Sequence, residues 1–587
     1  MSKIAIPSLA ALKKYSLLQL AELSEQIRRY LIETISKTGG HIGANLGVVE
    51  LSIALHYVFD SPKDRLLFDT GHQGYTHKLL TGRHKLFPSL NKQKGMSRFI
   101  DAKESKHDVL SASHAGTAIP TGTGLALASK LAGNTFHVVS VVGDGALVEG
   151  LSFEGLNYSP ENKLPHIVVI NDNDMAIAPN VGGVKKLFSG DDWEKKARSF
   201  FTAFGYSYLA VPDGHHLPSL IAALQQAKSH CQEHPVIVHV KTQKGKGLSF
   251  AQDHKYKMHF SMPFDPVTGT GAAPTPPGES YARVASRTLK ELMKTDKTIT
   301  VITPATPYAS ELDGLLEDFP ERTLDVGMAE QQAISMAAGL ALAGRKPVAC
   351  FQSTFMQRAM DQIIHDVAYP NLPVTILSAR SGFAGFDGPT HHGIYDFSYL
   401  QAIPNLQLFY AGTAHDLGSI LRWRMRQPFG PLVICYPYEA VREGEETPDI
   451  EDDILLPKNF SLPGEICLVT LANRLGTAFE VKRQLEAEGK HVAVINLRWV
   501  KPFPEQALLP YLRASRLTVC LEENVSSGGV GMRLAALCTD SQISCRLLRI
   551  AIPDIFVPAG DKAELSLETG IDAASVCQRI REALNGK

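Results

Sequence analysis

His137-Val-Val-Ser-Val-Val-Gly143-Asp144-Gly145 and His166-Ile-Val-Val-Ile-Asn171-Asp-Asn173 decide the fold. Each is a short apolar run, rich in β-branched residues, that closes on polar side chains, as a buried strand entering a loop does. Asn173 follows Asp144 by 29 residues (144 to 173). Two strands of a parallel sheet therefore each deliver a polar oxygen to the carboxyl edge, where open α/β folds bind ligands. A carboxylate and an amide oxygen, with glycines allowing close backbone approach, suit a hard cation bridging a diphosphate. A lone Gly-Asp-Gly is usually an ordinary turn. The paired strands and their spacing make it a candidate site.

Outward from these runs, short apolar segments alternate with helix-length amphipathic ones almost throughout, which predicts repeated βαβ units. Candidate strands are 137–142, 166–171, 236–241, 298–303, 373–378, 431–436, 466–471, 491–496 and 517–521. Two breaks interrupt them. Met262 to Gly278 is rich in proline and glycine and reads as a linker. Glu443 to Asp453 is acidic and proline-bearing, a solvated connection. The expected architecture is α/β, with three domains of mainly parallel sheets flanked by helices. Their bounds are 1–261, 281–440 and 460–587, joined by linkers at 262–280 and 441–459.

The chain's 587 residues exceed what one core can organise. Its composition, 44% hydrophobic and 20% charged, is that of a soluble globular protein. The net charge of −1 gives no global attraction to nucleic acid or an anionic membrane, and no apolar run is long enough to span a bilayer. No export signal is visible at the start, so the expected setting is the cytoplasm. The eight cysteines are scattered without a CxxC pair, which points to buried thiols rather than a zinc site or a disulfide framework.

Glycine-flanked histidines recur before the Gly-Asp-Gly turn. They are His41 in Thr38-Gly-Gly-His41-Ile-Gly and His72 in Phe68-Asp-Thr-Gly-His72-Gln-Gly, followed by Ser113-His114-Ala-Gly116. Beyond it, Lys241-Thr-Gln-Lys244-Gly-Lys-Gly247 places Lys244 as a counter-charge for a diphosphate, and His259 ends the same segment. In the middle of the chain, Leu324-Asp-Val-Gly-Met328-Ala-Glu330 sets a carboxylate between apolar stretches. Poor solvation raises a carboxyl's proton affinity, so Glu330 suits proton sharing with a ring nitrogen. Ser353-Thr-Phe355-Met-Gln-Arg358 and Arg380-Ser-Gly-Phe-Ala-Gly-Phe-Asp387-Gly-Pro-Thr-His391-His392-Gly393 are poor core material and read as binding loops.

The Asp144–Asn173 pair looks like the thiamine diphosphate fingerprint. With GGHIGANLG (39–47), NDNDMAIAPNVG (171–182), DVGMAEQQA (325–333), DGPTHHG (387–393) and PDIFVPAG (553–560), the chain resembles the 1-deoxy-D-xylulose-5-phosphate synthases among the transketolase-like enzymes. The resemblance runs nearly end to end. It implies a homodimer that uses thiamine diphosphate and Mg2+ to condense pyruvate with an aldose phosphate, glyceraldehyde 3-phosphate. It further implies that Asp144, Asn173 and the Met175 carbonyl hold magnesium. His72, Ser113, His114, Gly143, Gly145, Ala146, Ile177, Lys244, Met328 and Phe355 would line the cofactor, and Glu330 would protonate its pyrimidine. His41, His72, His259 and His391 would move protons, a task for which imidazole titrates in the right range. Arg358, Arg380, Asp387, His391 and the position of Tyr438 would contact the substrate.

Four departures stand out. Tyr438 replaces the arginine of a YPRG-like motif, removing a charge-assisted hydrogen bond worth about 1.5–3 kcal/mol. Gln352 stands where a tyrosine is usual. The stretch between Val181 and Phe200 is short, and Ile302-Thr-Pro-Ala-Thr-Pro-Tyr-Ala309 differs from the family's ITPAM-R. Either Arg358 and Arg380 still hold the acceptor phosphate, or the chain is a related carboligase with another acceptor or donor. A third reading is a non-catalytic, cofactor-binding paralogue, against which Glu330 argues because mere binding needs no such carboxylate. A dinucleotide-binding dehydrogenase is excluded for lack of GxGxxG after an early strand.

Overall fold

The computed structural model describes residues 4–271, 279–441, 456–459 and 461–586. The chain divides into two compact units, Met1–Pro274 with Val326–Ala329, and Thr275–Asp325 with Glu330–Lys587.

The first unit is built on a five-stranded parallel sheet in the spatial order Arg65–Phe68, Val138–Gly143, His166–Asp172, Val236–Lys241 and Ser207–Val211. Both faces are covered. Val139, Val141, Ile167 and Val169 pack with helices Leu17–Thr38, Val49–Val58 and Leu217–His230. Their neighbours Val138, Val142, Val168 and Ile170 pack on the opposite side with Ala118–Leu131 and Trp193–Ala203. A strand buried on both faces has no polar alternation, which is why these segments read as continuous apolar runs. Each fully buried Val or Ile contributes about 1.5–3 kcal/mol. The long first helix starts on a capping box, Ser16 with Gln19. Gly143 pairs with Asn171, so Asp144 and Asn173 leave adjacent strands at one edge.

The second unit holds two sheets. The larger has seven strands in the order Trp499–Lys501, Gln407–Tyr410, Leu432–Tyr436, Thr375–Ala379, Lys346–Gln352, Ile299–Thr303 and Thr323–Asp325. All neighbours run parallel except the first pair. The smaller runs Lys458–Asn459, Val492–Asn496, Ile466–Thr470, Leu517–Val525 and Leu547–Ile552, with only its first pair antiparallel.

Every strand read from the sequence is present, all within two residues of their expected ends except that expected at 517–521, which runs on to Val525. The connections differ more. Residues 262–271 pack on the first unit, with Phe264 buried in its core. The rest of the proline-rich break, 272–278, lies outside the described residues, as does the acidic stretch at 443–453. Lys458–Asn459 is a strand and not linker. Trp499–Lys501 leaves the carboxy-terminal stretch for the edge of the seven-stranded sheet, because Trp499 packs its ring on Phe409 and Trp423. The short segment after Val181 carries two helices, Gly182–Leu187 and Trp193–Ala203, with Phe188 buried between them. All eight cysteines are thiols, seven of them buried. No helix among the described residues is long and apolar enough to cross a membrane.

Candidate functional site

In the first unit the carboxyl edge of the sheet carries the Asp144 side chain, which is 2% exposed. Its Oδ1 accepts from the Gly145 amide at 3.1 Å, and its Oδ2 from the Asn173 amide at 3.3 Å and Asn180 Nδ2 at 2.7 Å. The chain after Asn173 turns back on itself, Asn180 N to Asp174 O at 3.1 Å, and so returns Asn180 to the carboxylate. Gly145 makes that turn possible. A Cβ there would stand 2.7 Å from Ala176 Cβ and 2.8 Å from its Cα. Asn173 Oδ1 is buried and accepts no hydrogen bond. A buried acceptor left open costs about 1–3 kcal/mol, so its position beside a carboxylate fits a cation ligand. A Cβ added at Gly143 would enter open space, room that a ligand can occupy.

Two further carboxylates, of Asp172 and Asp174, lie within 4.8 Å of that of Asp144. Burial, then the charge of Asp172, pushes the Asp144 carboxyl well above the usual range. Asp172 is buried too, but His239 and Lys241, each at 2.7 Å, hold it below its ordinary value. Asp172 is thus committed to partners, and Asp144 is the carboxylate a cation would claim.

Three imidazoles come together nearby. The ring centres of His41 and His72 are 5.4 Å apart, those of His41 and His259 5.5 Å, and those of His72 and His259 5.0 Å. His41 Nδ1 lies 3.4 Å from the Tyr75 hydroxyl, and His72 Nδ1 is buried without a hydrogen-bond partner. Lys244 Nζ donates to the Ala176 carbonyl at 2.6 Å and to His259 Nδ1 at 3.1 Å, tying the histidines to the Asn173–Asn180 turn. Burial lowers the Lys244 ammonium to about 7, opposed by Asp144. Burial and then Lys244 lower His72 to about 3 and hold His259 well below its ordinary value. These two imidazoles are therefore neutral bases at working pH. Gly43 closes the cluster. Its amide donates to Met258 O at 3.0 Å and its carbonyl accepts from Gly245 N at 2.8 Å.

The remaining expected residues of this unit surround the same edge. Ser113 is buried and His114 half-buried, on the loop after Ala112, whose amide donates to Ile100 O beside the Gly71–His72 turn. Ala146 opens a short 3-10 turn after Gly145. Met175 and Ile177 lie on the Asn173–Asn180 turn, and Met328 packs against the core that includes Ala146.

In the second unit Glu330 begins the helix Glu330–Leu342 and is 5% exposed, as its apolar flanks led one to expect. Phe355 lies on the short helix Ser353–Met356, with its ring 5.6 Å from that of His391, and Arg358 follows half-buried on the next turn. Arg380 leaves the end of strand Thr375–Ala379 and bonds Asp387 through Nη1 at 3.0 Å. Its guanidinium lies 4.0 Å from the centre of the Tyr438 ring. Gln352 pairs with Ala379, one residue before Arg380. The structure thus joins Phe355 to His391, and Arg380 to Asp387 and Tyr438. Glu522 and Glu523 are both buried and hydrogen-bonded within the second unit. Glu522 accepts from the amides of Val530 and Gly531 at 2.8 and 2.9 Å, and Glu523 accepts from Asn473 at 2.9 Å and Arg474 Nε at 2.7 Å. Sequence reasoning passed over Asn180, Asp172 and Asp174. The first two could be found only by tracing a loop back to its strand or by pairing His239 with its neighbour.

Residues 3–198 match the family model described as 1-deoxy-D-xylulose-5-phosphate synthase, 279–443 that of the transketolase pyrimidine-binding domain, and 463–576 that of the transketolase C-terminal domain. The 1-deoxy-D-xylulose-5-phosphate synthase 1 of Geobacter sulfurreducens is 38% identical over 98% of this chain and 96% of its own length. The synthase of Geobacillus thermodenitrificans is 38% identical over 98% of both chains, and that of Listeria monocytogenes 38% identical over 99% of this chain and 97% of its own. With a metal-suited Asp144–Asn173 pair, a histidine cluster and a buried Glu330 in the matching segments, the chain belongs to the 1-deoxy-D-xylulose-5-phosphate synthase family.

Proposed function

We propose that this protein condenses pyruvate with glyceraldehyde 3-phosphate to 1-deoxy-D-xylulose 5-phosphate, releasing carbon dioxide, with thiamine diphosphate and Mg2+ bound. The observation that carries this reading is the 38% identity maintained over 98% of the chain with synthases of that name. The reading brings with it a homodimer in the cytoplasm. Exposed Leu342 and Tyr369 offer apolar surface for such pairing.

Bound thiamine diphosphate supplies the carbon acid and electron sink that decarboxylation and carbon–carbon bond formation need. Asp144 and Asn173 Oδ1 hold Mg2+ in this reading, with the Met175 carbonyl as a third oxygen ligand, and Lys244 meets the diphosphate's charge. Glu330, removed from water, would share a proton with the pyrimidine nitrogen of the bound cofactor, and Phe355 would help hold that ring. His72 and His259, held neutral, each offer a lone pair or an N–H to substrate oxygens without placing a charge beside them. His41 and His391 complete the set that moves protons, and Arg358 and Arg380 bind the acceptor.

The test is turnover of pyruvate by the purified protein with thiamine diphosphate and magnesium, with and without glyceraldehyde 3-phosphate. Carbon dioxide and the sugar phosphate are followed together. Equimolar release and formation is the expected result. Decarboxylation without the sugar phosphate, or none at all, would overturn the proposal.

A further inference from the structure

The ring of Tyr438 has a second cation beside it. Lys562 begins the helix Lys562–Glu568, which starts at the Asp561 cap, and its Nζ lies 5.8 Å from the Tyr438 ring centre. Arg380 approaches the same ring at 4.0 Å. The Lys562 ammonium donates one hydrogen bond, to the Tyr438 carbonyl at 2.5 Å. No carboxylate lies within ion-pair reach of it among the described residues, although an ammonium carries three donors. Arg380, by contrast, has Asp387 at 3.0 Å. Two cations thus converge on one aromatic ring with a single carboxylate bonded to either, which leaves positive charge and donors for an anion. Burial lowers the Lys562 ammonium, with Glu523 and Glu439 opposing and Arg380 and Arg474 reinforcing the shift, as expected where cations crowd. Tyr308 belongs to the same neighbourhood. Burial, then Tyr438, raises its phenol to about 12, with Arg380 opposing.

We propose that Lys562 is a ligand of the acceptor's phosphate, which it holds together with Arg380 over the ring of Tyr438. The inference deepens the function proposed above and rests on it. It assigns to this chain its own solution for the missing YPRG-type guanidinium. At position 438 the side chain is an uncharged phenol, and the cation arrives from a helix 124 residues further along. A lysine meets a phosphate as a point charge, whereas an arginine can grip two oxygens at once. The site accordingly selects for charge at the acceptor's end and is more tolerant of the anion's orientation.

The experiment uses the holoenzyme and three variants, Lys562→Met, Lys562→Arg and the double variant Lys562→Met/Tyr438→Arg. Steady-state kinetics compare glyceraldehyde 3-phosphate with D-glyceraldehyde at saturating pyruvate. Calorimetry measures binding of sn-glycerol 3-phosphate, a phosphate ester that cannot react. Loss of one charge-assisted contact predicts that Lys562→Met weakens glycerol 3-phosphate binding about 10- to 100-fold. It should raise the KM for glyceraldehyde 3-phosphate by the same factor relative to D-glyceraldehyde. Lys562→Arg should keep most of the affinity, and the double variant should recover it. If Lys562 only tethers the Tyr438 backbone, Lys562→Met will impair both acceptors alike and the added arginine will restore nothing, which overturns the proposal. Failure of the wild type to bind glycerol 3-phosphate overturns it equally. Wild-type binding that weakens in Lys562→Met, without formation of the sugar phosphate, would sustain the anion site while refuting the proposed overall reaction.

Discussion

Replacing Gly43 by alanine tests the histidine cluster without touching a polar atom. Gly43 lies in the short helix Ile42–Leu46, where alanine is favoured over glycine by about 1 kcal/mol. Against that, the added Cβ would stand 1.9 Å from the Lys257 carbonyl oxygen and 2.9 Å from that of Met258, where ordinary contact begins at 3.4 Å. Both obstacles are backbone, so the 257–258 segment must retreat by about 1.5 Å, the difference between 3.4 and 1.9 Å. That movement breaks the bond from Gly43 N to Met258 O and strains the one from Gly245 N to Gly43 O. At about 1–3 kcal/mol for each of the two buried groups left unpaired, the loss exceeds the helix gain and leaves a net cost of roughly 1–5 kcal/mol. His259 follows Met258 directly and moves with it, and if it moves protons as proposed, misplacing it by about 1 Å costs on the order of 100-fold in rate. The expected phenotype is a folded protein with a urea midpoint lowered in proportion and kcat down about 100-fold. Gly124→Ala is the control, since its Cβ would meet nothing within 4 Å. A Gly43→Ala protein with wild-type stability and kcat would show that the 257–259 segment is not held as described.

Other residues give independent tests. Asn173→Ala, which removes the open Oδ1 proposed as a magnesium ligand, should raise the magnesium concentration for half-maximal cofactor binding about 10- to 100-fold, measured by fluorescence titration after chelator treatment. Glu522 is raised to about 7 from its ordinary 4.5, chiefly by burial. Between those values the folded state keeps a proton that the unfolded state releases, so its contribution to stability is present below about 4.5 and is lost as pH climbs to about 7. Glu522→Gln removes this slope and should gain roughly 3 kcal/mol relative to wild type between pH 4.5 and 7.5, read from urea midpoints at each pH. An identical pH dependence in both proteins would refute it. Arg474→Met leaves the buried Glu523 carboxylate without its main cation and should destabilise the second unit by about 3–5 kcal/mol in denaturant titration.

The readable parts of this molecule were those encoded by local pattern. Val138–Gly143 and His166–Asp172 are apolar on both faces and close on polar residues, so strand, edge and candidate cation ligands emerge together from one stretch. Lys346–Gln352 escaped notice because Pro347 interrupts its start, and Thr323–Asp325 because three residues carry no period. Asn180 reaches Asp144 only because a turn doubles back, and Asp172 is bonded by His239 from another strand. Such contacts are fixed by tertiary packing and leave no signature in spacing. Lys562 is the extreme case, since its sequence neighbours point to nothing more than a helix cap. The resemblance to a family filled the gap between motif and role for Glu330, whose burial the fold bears out.

The strand Trp499–Lys501 bears on how the chain is made. Until it is synthesised, the strand Gln407–Tyr410 has no neighbour on its outer side, and 89 residues (410 to 499) separate the two. At about 5–20 residues per second the ribosome leaves that edge bare for roughly 5–20 s. An unpaired edge is a template for wrong partners. The central stretch is therefore a poor cassette for shuffling between homologues or for expression by itself. A fragment ending near residue 440 should be captured by chaperones or aggregate, and it should be rescued by supplying the remainder of the chain in trans.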